Sequence, residues 1–161
     1  MSRFVEVEHD VWVAATPDVV RAHYLDLNHR KIALVHPRER VRQLAPGPNG
    51  PRYERIVRSA WRMTRDVYER EIRADGSIVD TCVAGAHWGQ AISVRFWRRG
   101  EEGRVGTLVE MTLSQPLRPL VGRLMASWIK RRMAGELREF AAENKGDVER
   151  GYKAGGHLRA A

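Results

Sequence analysis

The stretch Leu117–Phe140, LRPLVGRLMASWIKRRMAGELREF, constrains the fold of this chain more than any other. Leu120, Val121, Leu124, Met125, Trp128, Ile129, Met133, Leu137 and Phe140 follow helical spacing and form one apolar stripe. Arg123, Lys130, Arg131, Arg138 and Glu139 point away from it. At about 1.5 Å per residue such a helix is roughly 35 Å long, the width of a small domain. A stripe of that length needs a broad apolar surface to cover it. Most of the chain upstream reads as strand, so the spacing predicts a curved sheet gripping one long C-terminal helix.

The first strand is expected over Phe4–Val13, where Val5, Val7, His9, Val11 and Val13 share one face and Glu6, Glu8 and Asp10 the other. Thr16-Pro17-Asp18 reads as a helix start, with Thr16 as N-cap and Pro17 at the first helical position. That helix carries Val19, Val20, Tyr24 and Leu27 and breaks near Asn28. A second short helical piece is expected over Lys31–Leu34, ending before His36-Pro37, because the residue before proline avoids the helical region. Strands follow over Arg38–Leu44, Tyr53–Ala60, Trp61–Ala74, Ser77–Val83, Trp88–Arg98 and Val105–Ser114. Pro46–Gly50, Asp75-Gly76 and Gly100–Gly103 supply the turns. The order is β-α-α-β6-α, an α+β meander of about seven antiparallel strands closed by a helix.

With 161 residues the chain is expected to form one domain over residues 1–144, burying about two-thirds of its unfolded surface. Residues 145–161, KGDVERGYKAGGHLRAA, lose periodicity and gain glycine, and read as a flexible tail. No apolar run approaches the ~20 residues that span a bilayer, and no secretory pattern opens the chain. Cys82 is the single cysteine, so an internal disulfide is excluded and a reducing cytoplasm is the default location. The net charge of +8 raises the question of a polyanion partner. Only Lys31, Lys130, Lys145 and Lys153 are lysines among the 28 basic residues, and the arginines alternate along strands as solvated faces do. A dedicated nucleic-acid site is therefore not expected, while peripheral membrane contact stays open.

These elements, in this order, make the chain similar to the START/Bet v 1-like (SRPBCC) superfamily, in the style of its polyketide cyclase/dehydrase-like members. The resemblance spans residues 3–144. It is carried by the strand FVEVEHDVWVAA, the opener Thr16-Pro17-Asp18-Val19-Val20 with Asp26 nine residues after the proline, and the six-strand run. Thr107-Leu-Val-Glu-Met-Thr, then Pro116 and the long helix, complete it. Two positions depart from the pattern. Arg21 stands where a bulky aromatic is frequent, and His36-Pro37 near where a tryptophan is common. The resemblance implies the helix-grip fold and a hydrophobic ligand cavity between sheet and helix. It implies no shared catalytic set.

Polar residues that interrupt apolar faces are the candidates for lining such a cavity. His9 on the inward face of the first strand is either a hydrogen-bond anchor or a core histidine satisfied by its neighbours. On Trp61–Ala74 one face carries Arg65, a fork for a carboxylate or enolate, and the other carries Tyr68 and Asp66; the pattern does not distinguish which face is buried. His87, Trp88 and Gln90 surround a glycine-flanked turn, where Trp88 suits stacking and the other two hydrogen bonding. Met125 and Trp128 are core residues, some of whose helix face would line the tunnel. Cys82 has no evident activating base. His23, His29 and His36 lack the i, i+4 pairing of helical zinc sites, so no metal and no cofactor is expected.

The sequence thus points to binding of a hydrophobic lipid-, polyketide- or aromatic-like molecule, by a monomer or homodimer. Two alternatives stand beside it. One is a cyclase or dehydratase on the same scaffold, moving a proton through His9, Arg65 or His87. The other is a basic module docking on RNA, ribosomes or anionic membrane.

Overall fold

The computed structural model describes residues 4–31, 37–58, 62–117 and 121–152. Strand β1 (Phe4–Val13) is followed by helix α1 (Pro17–Leu25) and a 3-10 turn over His29–Lys31. Then come β2 (Glu39–Leu44), β3 (Arg52–Arg58), β4 (Met63–Ile72), β5 (Ile78–Gly85), β6 (Ala91–Glu101), β7 (Arg104–Pro116) and helix α2 (Val121–Glu149). The strands form one seven-stranded antiparallel sheet in the order β1-β7-β6-β5-β4-β3-β2. The expected α+β helix-grip architecture is therefore the one the chain adopts. No helix among the described residues is long and apolar enough to cross a membrane.

Local chemistry accounts for most element ends. Thr16 is extended at the N-cap of α1 with Pro17 next, but its side chain caps nothing, and the first turn closes through Val20 N–H to Thr16 O at 3.1 Å. Asp75-Gly76 makes the β4–β5 turn, with Gly76 at φ 81° and Asp75 Oδ1 accepting from Ser77 N and Oγ. The β6–β7 turn is tighter than the predicted Gly100–Gly103. Strand pairing runs through Gly100–Val105 to Glu101–Arg104, leaving Glu102 (φ 49°) and Gly103 (φ 73°) as a two-residue loop. Positive φ at both central residues is the twist that strand pairs favour. The helical piece expected over Lys31–Leu34 is a 3-10 turn that starts at His29, and its remainder lies outside the described residues.

The main core joins Val5, Val7 and Val13 of β1, Val20 and Tyr24 of α1, Val109, Met111 and Leu113 of β7, and Met133, Leu137, Ala141 and Val148 of α2. The buried stripe of the long helix is thus displaced toward its C-terminus. At 29 residues α2 is about 43 Å long, more than the sheet it crosses can cover. It packs on β1, α1 and β7 through its later turns, and Leu124, Met125 and Trp128 overhang with 92%, 39% and 54% exposure. Residues 145–152, expected as part of a flexible tail, are instead packed on the domain, and residues 153–161 lie outside the described residues. The helix continues to Glu149, and Asp147, Val148 and Tyr152 are buried against α1 and its following turn. Some surface arginines pair locally, as in Arg38–Glu139, Arg99–Glu101 and Arg132–Glu136, each pair worth little to stability.

The overhang makes two chemically identical substitutions diverge. Leu137→Ala opens a cavity in the core and is expected to cost about 2–5 kcal/mol, whereas Leu124→Ala should stay within about 0.5 kcal/mol of wild type. Urea unfolding of the two variants checks this.

Candidate functional site

Between the sheet and α2 lies a small cavity lined by Tyr24, Arg30, Tyr53, Arg55, Arg70, Ile78, Asp80, Ile92, Val94 and Phe140. Its volume of about 10 Å³ is room for roughly one water. The space that the sequence led us to expect as a largely apolar tunnel is therefore narrow, its surface mostly apolar, with Arg30, Arg55, Arg70 and Asp80 among the residues that bound it.

Strand register explains how these groups meet. Tyr53 of β3 is the direct cross-strand partner of Tyr68 of β4, and the rings stack at 5.6 Å and 16°. With Tyr68 inside, the two-residue period of β4 also carries Asp66 and Arg70 inward and turns Arg65 out, where it is exposed. Arg65, one of the expected ligand anchors, therefore faces solvent. Arg70 donates from Nε and Nη2 to the two oxygens of Asp80 at 2.7 and 2.6 Å, and from Nη1 to Tyr24 O at 2.9 Å. Tyr53 Oη donates to Asp80 Oδ2 at 2.7 Å, and the Arg70 guanidinium lies 5.3 Å from the Tyr53 ring centre.

Two further guanidiniums share one carboxylate. Arg55 Nε lies 3.1 Å from Glu39 Oε2, and Arg30 Nη1 lies 3.9 Å from Glu39 Oε1. Arg30 also rests on the Phe140 ring at 5.2 Å, and its buried Nε has no hydrogen-bond partner among the described residues. Three buried or half-buried arginines thus face two carboxylates, a surplus of one positive charge. Burial pushes the phenols of Tyr24, Tyr53 and Tyr68 well above their ordinary range, and Asp80 adds to this at Tyr53. They remain proton donors at neutral pH.

A second group sits at the corner of β4, β5 and β6. His87 presents its backbone N–H and Nδ1 to the Asp66 carboxylate at 2.9 and 2.8 Å. Tyr68 Oη donates to Gln90 Oε1 at 2.7 Å, and Gln90 Nε2 donates to Gln115 Oε1 at 3.0 Å. Three of the expected residues, Tyr68, His87 and Gln90, are thus brought together, each held by the protein itself. Trp88 beside them is 70% exposed and neither plugs the core nor lines the cavity. Cys82 is buried, and burial pushes its thiol up to about 12, as befits an inert cysteine. His9 is half-buried on the inner face of β1, opposite Met111 and away from the cavity. Met125 and Trp128, expected along the tunnel, lie on the overhang of α2 instead.

The third group was missed in the sequence. His23 Nε2 lies 2.6 Å from Asp147 Oδ2, and His29 Nε2 pairs with the same oxygen. Burial pushes the His23 imidazole down to about 4, against the opposing pull of Asp147. Tyr152 packs edge-on to both imidazoles and donates to Asp26 Oδ2 at 2.9 Å. Asp147 stands 124 and 118 residues from its partners, so spacing carried no sign of the group.

No protein-family model matches the chain, and no curated protein matches it in sequence. Solved structures share its fold. A protein from Thermus thermophilus superposes with a TM-score of 0.75 at 18% identity, covering 92% of this chain and 99% of its own. A START superfamily protein from Mycobacterium smegmatis gives 0.72 at 19%, covering 90% and 97%. The ZhuI aromatase/cyclase from Streptomyces sp. R1128 gives 0.63 at 18%, covering 96% and 99%. The helix-grip fold of START/Bet v 1-like proteins, to which the sequence bore a resemblance, is thus the fold of this chain.

Two consequences can be measured. Asp80→Ala strands the buried Arg70 charge and is expected to cost about 3–5 kcal/mol, most of which the double variant Arg70→Met/Asp80→Leu should return in urea unfolding. At Asp66, burial favours the neutral acid, but the hydrogen bonds from His87 overcome it and hold the carboxyl below its ordinary 3.8. Its stabilising contribution is then full above that pH and lost as pH falls through the depressed value. The acid limb of the stability curve should accordingly be shallower in Asp66→Asn than in wild type.

Proposed function

We propose that the chain binds a hydrophobic small molecule with an aromatic or polyketide-like body and one anionic group, a carboxylate, phenolate or enolate. The observation that carries this reading is Arg30. Its guanidinium is buried on the cavity wall with an unpartnered Nε, where arginines outnumber carboxylates. An anionic oxygen there would supply the missing acceptor and cancel the surplus charge, while Phe140, Tyr24, Ile92 and Val94 hold an apolar ring. The aromatase/cyclase among the structural neighbours supports a body of that kind on this scaffold.

A ligand larger than a water needs the cavity to widen. The N-terminal half of α2 is the part with least to lose, since Leu124, Met125 and Trp128 have few contacts to break. Outward movement there opens the sheet–helix space. Met125 and Trp128 then close over the ligand, which keeps them as ligand residues of the bound state.

A cyclase or dehydratase reading has one feature of its own. Tyr53 and Asp80 are two titratable groups in hydrogen-bond contact at the cavity wall, oriented by Arg70. Turned from Asp80 toward the cavity, the protonated phenol would stabilise an enolate oxygen there by a hydrogen bond, with no net proton transfer.

The test compares 3-hydroxy-2-naphthoate with neutral 2-naphthol by fluorescence titration, beside native mass spectrometry of gently purified protein. The carboxylate should bind at least about tenfold more tightly, about 1.4 kcal/mol, and Arg30→Gln should remove that preference. Equal affinity for the two probes, or a preference that survives Arg30→Gln, would sink the anionic-ligand reading. Absence of binding to either, with no co-purified molecule, would sink ligand binding itself.

A further inference from the structure

We propose that His23, His29 and Asp147 bind one divalent transition-metal ion, through the two imidazole Nε2 atoms and a carboxylate oxygen. The three donor atoms lie within 4.8 Å of one another, and the residues are 0%, 3% and 7% exposed. Each comes from a different element: α1, the 3-10 turn and the last turns of α2. Two imidazole nitrogens and one carboxylate oxygen are a donor set for Zn(II) or Fe(II) that leaves further coordination positions for water or another ligand. Tetrahedral metal–donor bonds of about 2.0–2.2 Å put neighbouring donors roughly 3.4 Å apart. To admit the ion, the His23–Asp147 spacing of 2.6 Å and the His29–Asp147 contact would each open by up to about 1 Å.

The surroundings are those of a ligand set held in place. The Tyr152 ring stands edge-on to both imidazoles, at 4.8 Å from His23 and 4.9 Å from His29. Its hydroxyl donates to Asp26 Oδ2, and Asp26 Oδ1 accepts the backbone N–H of His29 at 2.9 Å. The ring faces and the His29 backbone are therefore held by groups outside the triad. Asp26 brings a second negative charge close by, and the positive charge of Arg30 opposes it. A purely structural carboxylate clamp on two imidazoles would need no metal affinity, and that is the difference to measure.

Metal-stripped full-length protein is titrated with Co(II), followed by its visible d–d absorption and by thermal melting. One equivalent is expected to bind, to raise the Tm and to be displaced by Zn(II). His29→Gln and Asp147→Asn should each weaken binding by at least about 100-fold, since even outer-shell changes cost 10–100-fold. Imidazole NMR of the wild-type chain keeps the test independent of how the variants fold: Co(II) should shift or broaden the His23 and His29 ring signals. Sub-stoichiometric binding, binding that survives both substitutions, or ring signals that do not move would each overturn the site.

Discussion

Burying the Arg70 guanidinium is the constraint from which much of the interior follows. Removing such a charge from water costs several kcal/mol, offset only when nearly every donor finds an acceptor. Here Asp80 takes two of them and the Tyr24 carbonyl a third, so β4, β5 and α1 are held together by one side chain. Asp80 then accepts from Tyr53, which brings in β3. On the face of β4 that carries Arg70, Tyr68 and Asp66 are inward as well, and with them come the Tyr53 stack and the anchoring of His87. The polar groups at the cavity wall and the corner holding Gln90 are therefore parts of one arrangement. A one-residue slip of β4 would turn the exposed Arg65 inward without these partners.

Helix α2 behaves as two halves with different duties. From Met133 onward its stripe lies on β1 and β7, and its last turns dock on α1 through Asp147 and on the turn that follows. Before Ile129 it offers apolar residues to solvent, with Arg132 5.7 Å from the Trp128 ring as one local cover. The exposure of Leu124, Met125 and Trp128 leaves that part of the helix with less buried surface than its later turns. Widening of the cavity then needs no break in the Arg70–Asp80 pair, because that pair ties the sheet to α1 rather than to α2.

Periodicity is a local property, which is why so much of the fold was legible. Alternation over Phe4–Val13, the Pro17 helix start, the Asp75-Gly76 turn and the long apolar stripe each depend on residues a few positions apart. The stripe marked a helix but did not say which of its turns are covered, since coverage depends on how far the sheet extends. Residues after Asn144 looked like a tail because they lack an apolar repeat. They are held instead by Asp147, whose partners are two histidines, and by Tyr152.

The candidate site was less legible for the same reason. Both faces of β4 mix apolar and charged residues, so hydrophobicity alone could not choose between Arg65 and Tyr68, and only pairing with Tyr53 decided it. Arg30, Arg55 and Asp80 do not stand out in a chain this rich in charge until three separate segments bring them to one wall, with Glu39 behind the two arginines. The sequence by itself determined the element order, the sheet-and-helix architecture and the expectation of a space between them, because those follow from the spacing of apolar residues. Tertiary structure alone decided which polar groups enter that space, how small it is, and that His23, His29 and Asp147 meet. Those outcomes depend on strand register and helix docking, which join residues too distant for any local pattern to record.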